Sequence, residues 1–154
     1  MIISFTGHRD LGGFNIPSPI YNNVSERIEA KLIELKPTKI LTGMAIGTDT
    51  LAANIAIKLN IPFDAIIPFN GQDQIWPEAA KKEYRRLLEL ASEKVVVSSG
   101  NFTAYKMQVR NEYLVDNCDK LIAVIRKDCI KGGTHNCIIY AIKQKKEIIY
   151  INPA

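Results

Sequence analysis

Three short polar turns hold the residues of this chain best suited to grip an anion. Thr6-Gly7-His8-Arg9 follows the apolar run Met1–Phe5. Thr42-Gly43-Met44-Ala45-Ile46-Gly47-Thr48-Asp49 follows a second apolar run, and Gly132-Gly133-Thr134 comes after a later one. Glycine lets backbone approach a ligand closely, and the free N–H groups at a helix start attract phosphate. Three such turns at strand ends point to a phosphate-bearing ligand held across the edge of a parallel sheet. Arg9 is suited to bidentate pairing with phosphate or carboxylate, and His8 to donating to an oxygen or carrying a proton. The second turn lacks the Lys-Ser/Thr ending of a P-loop, and its glycine spacing is not the dinucleotide pattern. ATP hydrolysis and hydride transfer are therefore disfavoured.

A later helical segment adds Lys106, Arg110 and Tyr113 on one face, at i, i+4 and i+7, with Met107, Leu114 and Cys118 turned to the core. Its start lies beside the expected site, within reach of a phosphate. Trp76, Phe69 and Tyr105 are candidates to stack on a base. The expected binding set is Thr6, Gly7, His8, Arg9, Gly43, Met44, Ala45, Gly47, Thr48, Asp49, Pro68, Phe69, Trp76, Lys106, Arg110, Gly132, Gly133 and Thr134.

These residues need a scaffold, and the hydrophobic pattern supplies one. Strands are expected at Ile2–Phe5, Lys39–Thr42, Phe63–Ile67, Lys94–Val97, Lys120–Ile125 and Glu147–Ile151, with helices at Ile20–Leu35, Thr48–Leu59, Pro77–Ala91, Ala104–Asn117 and Thr134–Lys145. Pro37 ends the first helix, and Thr48 is the expected N-cap of the second, with Asp49 complementing its dipole. Val95-Val96-Val97 and Leu121-Ile122-Ala123-Val124 are apolar throughout, as in strands covered on both faces. The expected fold is α/β: a three-layer α/β/α Rossmann-like sandwich with a mainly parallel six-stranded sheet, forming one domain over residues 1–154. The segments at the strands' carboxyl ends are Thr6–Gly13, Gly43–Asp49, Pro68–Trp76, Ser98–Lys106 and Arg126–Thr134.

The bulk properties narrow the function. A net charge of +4 favours a small anion but falls short of the basic footprint of a dedicated nucleic-acid domain. No apolar stretch is long enough to span a bilayer and no secretion signal is evident, so a cytoplasmic location is expected. Cys118, Cys129 and Cys137 form no CxxC unit and read as reduced thiols, and neither a metal nor a cofactor is expected. Val109, Leu114, Ile138, Ile139 and Ile142 offer more apolar helix surface than one sheet face absorbs, which predicts a dimer or tetramer.

Taken in order, Thr6-Gly7-His8-Arg9, Gly43-Met44-Ala45-Ile46-Gly47-Thr48-Asp49, Ile67-Pro68-Phe69, Trp76-Pro77, Lys106-Met107-Gln108-Val109-Arg110-Asn111-Glu112 and Gly132-Gly133-Thr134 resemble the SLOG superfamily. The likeness covers nearly the whole chain and is strongest to the small single-domain SLOG proteins of bacteria and their phages. It implies a Rossmann-like fold and a nucleotide-derived ligand. Among relatives are the LONELY GUY phosphoribohydrolases, the DNA-processing (Smf) proteins and nucleotide-sensing domains of anti-phage defence systems. Met107-Gln108-Val109-Arg110 is similar to the phosphoribohydrolase Met-x-x-Arg-Lys motif, with Asn111 in place of Lys. The Gly-Gly-x-Gly-Thr-x-x-Glu motif survives only as Gly132-Gly133-Thr134, and Cys137 stands where its Glu would be.

Three functions follow as expectations. The first is binding of a nucleotide-derived molecule, for sensing or sequestering a signal. The second is N-glycoside hydrolysis of a nucleoside monophosphate, with Arg110 holding substrate and Asp49 or Glu112 as acid/base. The third, single-stranded DNA binding, is disfavoured by the modest charge.

Overall fold

The computed structural model describes residues 1–11 and 18–153. Gly12 and Gly13, part of the first expected site segment, lie outside the described residues. The chain alternates β1 (Ile2–Gly7), α1 (Pro19–Leu35), β2 (Lys39–Thr42), α2 (Thr48–Lys58), β3 (Phe63–Ile67), α3 (Glu78–Leu90), β4 (Glu93–Val96), α4 (Ala104–Asp116), β5 (Lys120–Val124), α5 (Gly133–Lys143) and β6 (Glu147–Ile151). The strands form one sheet in the order β4-β3-β2-β1-β5-β6, and every neighbouring pair is parallel. This is the expected Rossmann-like α/β fold, with a wholly rather than mainly parallel sheet.

Alternation along each strand sorts the side chains between two faces. Ile3, Phe5, Ile40, Phe63 and Ile122 pack with Val24, Ile28 and Leu32 of α1, with Leu51 and Ile55 of α2, and with Leu87 of α3. On the opposite face, α4 and α5 cover Leu41, Ile66 and Leu121 with Leu114, Val115, Cys137 and Ala141. Ser4, between Ile3 and Phe5, is fully buried, and its hydroxyl donates to the Leu114 carbonyl at 2.7 Å. That bond satisfies a polar group inside the layer and fixes α4 against β1.

Local chemistry explains the element ends. Ser18 caps α1 by accepting from the Tyr21 N–H at 3.1 Å, with Pro19 in the first turn, and Lys36 closes the helix in the left-handed region (φ 50°). Thr103 caps α4 by accepting from the Lys106 N–H at 3.3 Å. The expected cap of α2 is corrected: Gly47 occupies that position (φ 89°), and Thr48 is the first helical residue. Its side chain is occupied elsewhere, donating to the His8 carbonyl at 2.9 Å.

One other expectation fails for a physical reason, and another is narrowed. Val95 and Val96 of the apolar run lie in the edge strand β4 and Val97 just after it, with Val96 exposed, so the run's composition did not report two covered faces. Leu114 and Ile138 are buried within the chain itself, which leaves Ile139 and Ile142 of the expected oligomer surface exposed.

Gly7 is required by packing. A Cβ there would lie under 3.0 Å from Cβ, Cγ2 and Oγ1 of the buried Thr48. Gly7→Ala is expected to lower stability by about 1–3 kcal/mol through overpacking. A urea midpoint equal to that of the parent chain would contradict this.

Candidate functional site

β1 sits where the strand order changes direction, between β2 and β5. Loops leaving the carboxyl ends of such strands diverge, and a crevice opens between them. Here it is a cleft of about 580 Å3. Thr6–Arg9 form one wall, Met107, Gln108, Arg110 and Asn111 of α4 another, and Gly132–Thr134 a third.

The floor holds two buried groups of opposite charge, Arg110 and Asp49, set over a glycine. The Arg110 guanidinium donates through Nη1 to the Gly43 carbonyl at 2.6 Å, and that carbonyl also accepts from Gln72 Nε2 at 3.2 Å. Asp49 Oδ2 accepts from the Ala45 N–H at 3.2 Å. A Cβ on Gly43 would lie under 3.0 Å from both the guanidinium and the Asp49 carboxylate, so any larger residue would displace these two side chains. Burial pushes the Asp49 carboxyl up and the Arg110 guanidinium down, and each charge opposes the other's shift. Arginine does not give up its proton in such a setting, so Arg110 stays charged.

His8 ties two loops together. Its Nε2 accepts from the Arg126 N–H at 2.9 Å, which fixes a neutral ring protonated on Nδ1. Burial and, second, the Arg126 charge lower its pKa, against smaller opposing effects of Asp128 and Asp10. The His8 carbonyl accepts from both the Thr48 N–H and the Thr48 hydroxyl. Thr6 bonds to the Cys137 thiol, and burial pushes that thiol up to about 12.

The third wall is open. Gly132, the cap of α5, offers no side-chain acceptor, and the first turn of α5 carries no acidic residue. A Cβ built at Gly132 or Gly133 meets nothing within 4 Å. The Gly133 and Thr134 N–H groups have no acceptor among the described residues, and they line the cleft. Asn111 Nδ2 donates to the Gly133 carbonyl at 3.3 Å and holds this turn against α4.

The YpsA family model, described as the YspA SLOG family, matches residues 3–153. The chain belongs to this SLOG family. It is 35% identical over 132 residues to the uncharacterized SPbeta prophage-derived protein YoqJ of Bacillus subtilis (strain 168), covering 75% of this chain and 76% of that one. The UPF0398 protein BH1768 of Halalkalibacterium halodurans is 26% identical over 160 aligned positions, covering 95% of this chain and 82% of its own length. Among solved structures, DNA processing protein A of Streptococcus pneumoniae superposes with a TM-score of 0.67 at 19% identity over 96% of this chain. That of Helicobacter pylori, described for its single-stranded DNA binding mode, superposes at 0.69 with 18% identity over 97%. This chain spans 49% and 64% of those two proteins, and the likeness shows a shared fold.

Within this SLOG fold the cleft gathers Thr6, Gly7, His8, Arg9, Ala45, Asp49, Arg110, Gly132, Gly133 and Thr134 from the expected set. Gly43, Met44, Gly47 and Thr48 do not line it; they stand behind the floor. Their turn is not an anion cradle, because Met44, Ala45 and Thr48 spend their N–H groups on Thr42, Asp49 and His8. Pro68 is buried and off the cleft, and Phe69 is buried edge-on against Phe102. Trp76 is buried edge-on against Tyr84, with ring centres 5.2 Å apart, and is no stacking platform for the cleft. Tyr105 is exposed outside it. Lys106 donates to the Asn101 carbonyl at 2.6 Å, and Tyr113 packs towards Leu41 and Ile66, so the expected basic face divides. Glu112 also lies off the cleft, accepting from Gln108 at 3.3 Å.

Sequence reasoning missed Phe102, Gln108, Lys131 and Asn136 as lining residues. Phe102 is 66% exposed beside the cleft, and its position two residues before the start of α4 was the available signal. No group of three or more potential metal ligands occurs among the described residues. No helix among them is long and apolar enough to cross a membrane.

Two measurements test this geometry. Arg110→Ala strands the Asp49 carboxylate and is expected to cost about 3–5 kcal/mol in urea unfolding at pH 7; a loss under about 1 kcal/mol would show the pair to be incidental. His8 has a folded pKa below its ordinary 6.5, so the unfolded chain takes up its proton first. Stability contributed by neutral His8 is present above about pH 6.5 and lost as pH falls through the folded value. Parent and His8→Gln stabilities compared between pH 7 and 5 should show a shallower decline in the variant; parallel declines would contradict the assignment.

Proposed function

We propose that the cleft binds a nucleotide or nucleotide-derived anion without cleaving it, the chemistry of a sensor or sequestering protein. The observation that carries this reading is the start of α5: an uncapped helix end with free N–H groups, two bare glycines and open space. Fixed partial positive charge there suits phosphate. Arg9 is exposed at the same cleft and Lys131 stands beside Gly132, so both can neutralise the ligand. Phe102 offers a ring face to a base. The volume falls in the ordinary range of small-molecule sites.

Hydrolysis is the weaker reading. Among the described lining residues Asp49 is the one carboxylate, and it is already engaged by the Ala45 N–H and the Arg110 charge. The position equivalent to the phosphoribohydrolase Glu carries Cys137, a buried thiol. The Helicobacter pylori neighbour favours single-stranded DNA as a second ligand class. In that case a short oligonucleotide would bind more tightly than a mononucleotide and lose affinity steeply with salt.

Isothermal titration against nucleoside monophosphates, cyclic nucleotides and ADP-ribose-type molecules tests the proposal. Gly133→Asp places a carboxylate in the free space and is expected to weaken binding by at least about tenfold while leaving the melting temperature within a few degrees. Arg9→Ala should weaken binding with little change in stability. Absence of heat at millimolar concentration across the panel would reject the reading, and release of free base would replace it with the hydrolase.

A further inference from the structure

A second pocket of about 480 Å3 lies where the ends of β5 and β6 meet α1 and the start of α5. The β5–α5 connection separates it from the cleft, and Cys129 lines both. Its walls are apolar: Ile125, the buried Ile138 and the ring of Tyr150, which is 56% exposed. Three basic side chains, Arg27, Arg126 and Lys127, complete the lining, and no Asp or Glu joins them among the described residues.

This combination asks for an explanation. Like charges gathered on an apolar floor repel one another, and a bound anion would relieve that repulsion. Two of the cations are also held in place. Arg27 Nη1 donates to the Asn152 carbonyl at 2.7 Å and contacts Asn23 Oδ1 at 3.4 Å, which leaves further guanidinium donors for a ligand. Arg126 reaches the Asp10 carbonyl at 3.4 Å while its own N–H binds His8 at 2.9 Å. Tyr150 projects from an edge strand with its ring half bare, a surface on which a flat ring can stack.

We infer that this pocket is a second ligand site, for a small aromatic anion of nucleoside monophosphate type, with its ring on Tyr150 and its phosphate among Arg27, Arg126 and Lys127. The site does not rest on the proposed use of the first cleft. The two share the Arg126–His8 link, so occupancy of one bears on the wall of the other.

The test is an amide NMR titration of the full chain with AMP, repeated on Gly133→Asp to block the first cleft. Saturable shifts at Lys127, His135 and Tyr150 are expected in both proteins. Tyr150→Ala should weaken this binding roughly tenfold, the scale of one lost base–aromatic stack. Lys127→Glu, at an exposed position, should weaken it without changing the fold. Shifts confined to Gly7, Asn111 and Gly133 would overturn the second site and leave the first intact. Shifts that inorganic phosphate reproduces with equal affinity, unaffected by Tyr150→Ala, would overturn it too.

Discussion

One carbonyl oxygen joins the layers on which the cleft depends. Gly43, just past the end of β2, accepts from Arg110 of α4 on one side of the sheet and from Gln72, in the loop before α3, on the other. Gln72 in turn donates to the Tyr84 hydroxyl of α3 at 3.3 Å. A buried guanidinium is tolerated only with a counter-charge and satisfied donors, and Asp49 and the Gly43 carbonyl supply these. The absent Cβ of Gly43 is what lets both side chains close over the backbone. The floor is therefore tied to the helices on both faces, and the ligand groups must come from the walls above it.

Two helix starts face this region, and their fates differ. At α2 the N–H groups are consumed internally: Asp49 lies in the first turn and accepts from Ala45, while the Thr48 N–H reaches His8. The protein's own carboxylate occupies the place an external anion would take. At α5 nothing equivalent exists, and Gly132 and Gly133 leave the space above the helix end open. Both turns are glycine-rich in sequence, yet only one retains free donors on the cleft. Glycine in the first two turns serves close packing, of Gly7 against Thr48 and of Gly47 against the Arg9 backbone, whereas in the third it leaves room.

That contrast marks what the sequence could and could not disclose. Element order and boundaries were legible because apolar runs and breakers act locally: Pro37 and Lys36 end α1, and Asn60-Ile61-Pro62 separates α2 from β3. Site location was legible too, since the carboxyl ends of parallel strands collect the loops. The roles within the site were not. Whether a glycine admits a ligand or a neighbouring Thr48 depends on contacts between segments some forty residues apart. Trp76 and Phe69 looked free because they sit in loops, but loops fold back, and Tyr84 and Phe102 cover them. Glu112 and Arg110 are two residues apart on one helix, and their difference in angle puts one on an outer surface and the other in the floor.

Cys137 bears most directly on chemistry. In the phosphoribohydrolase pattern its place belongs to a carboxylate, which stabilises an oxocarbenium-like sugar or activates water. Here the thiol is fully buried among Val115, Leu121 and Ala141 and hydrogen-bonded to Thr6. Held near 12, it carries no charge at neutral pH and contributes neither base nor electrostatic partner. Arg110 has meanwhile turned its charge to Asp49 and Gly43, so the two groups that would divide the work of N-glycoside cleavage are both committed to structure. What remains at the surface of the cleft is a set of donors and cations: the α5 N–H groups, Arg9 and Lys131. Such a set can hold an anion, and with the lining carboxylate Asp49 engaged by the Ala45 N–H and the Arg110 charge, it is what supports the proposed reading of the cleft as a binding site rather than a hydrolytic one.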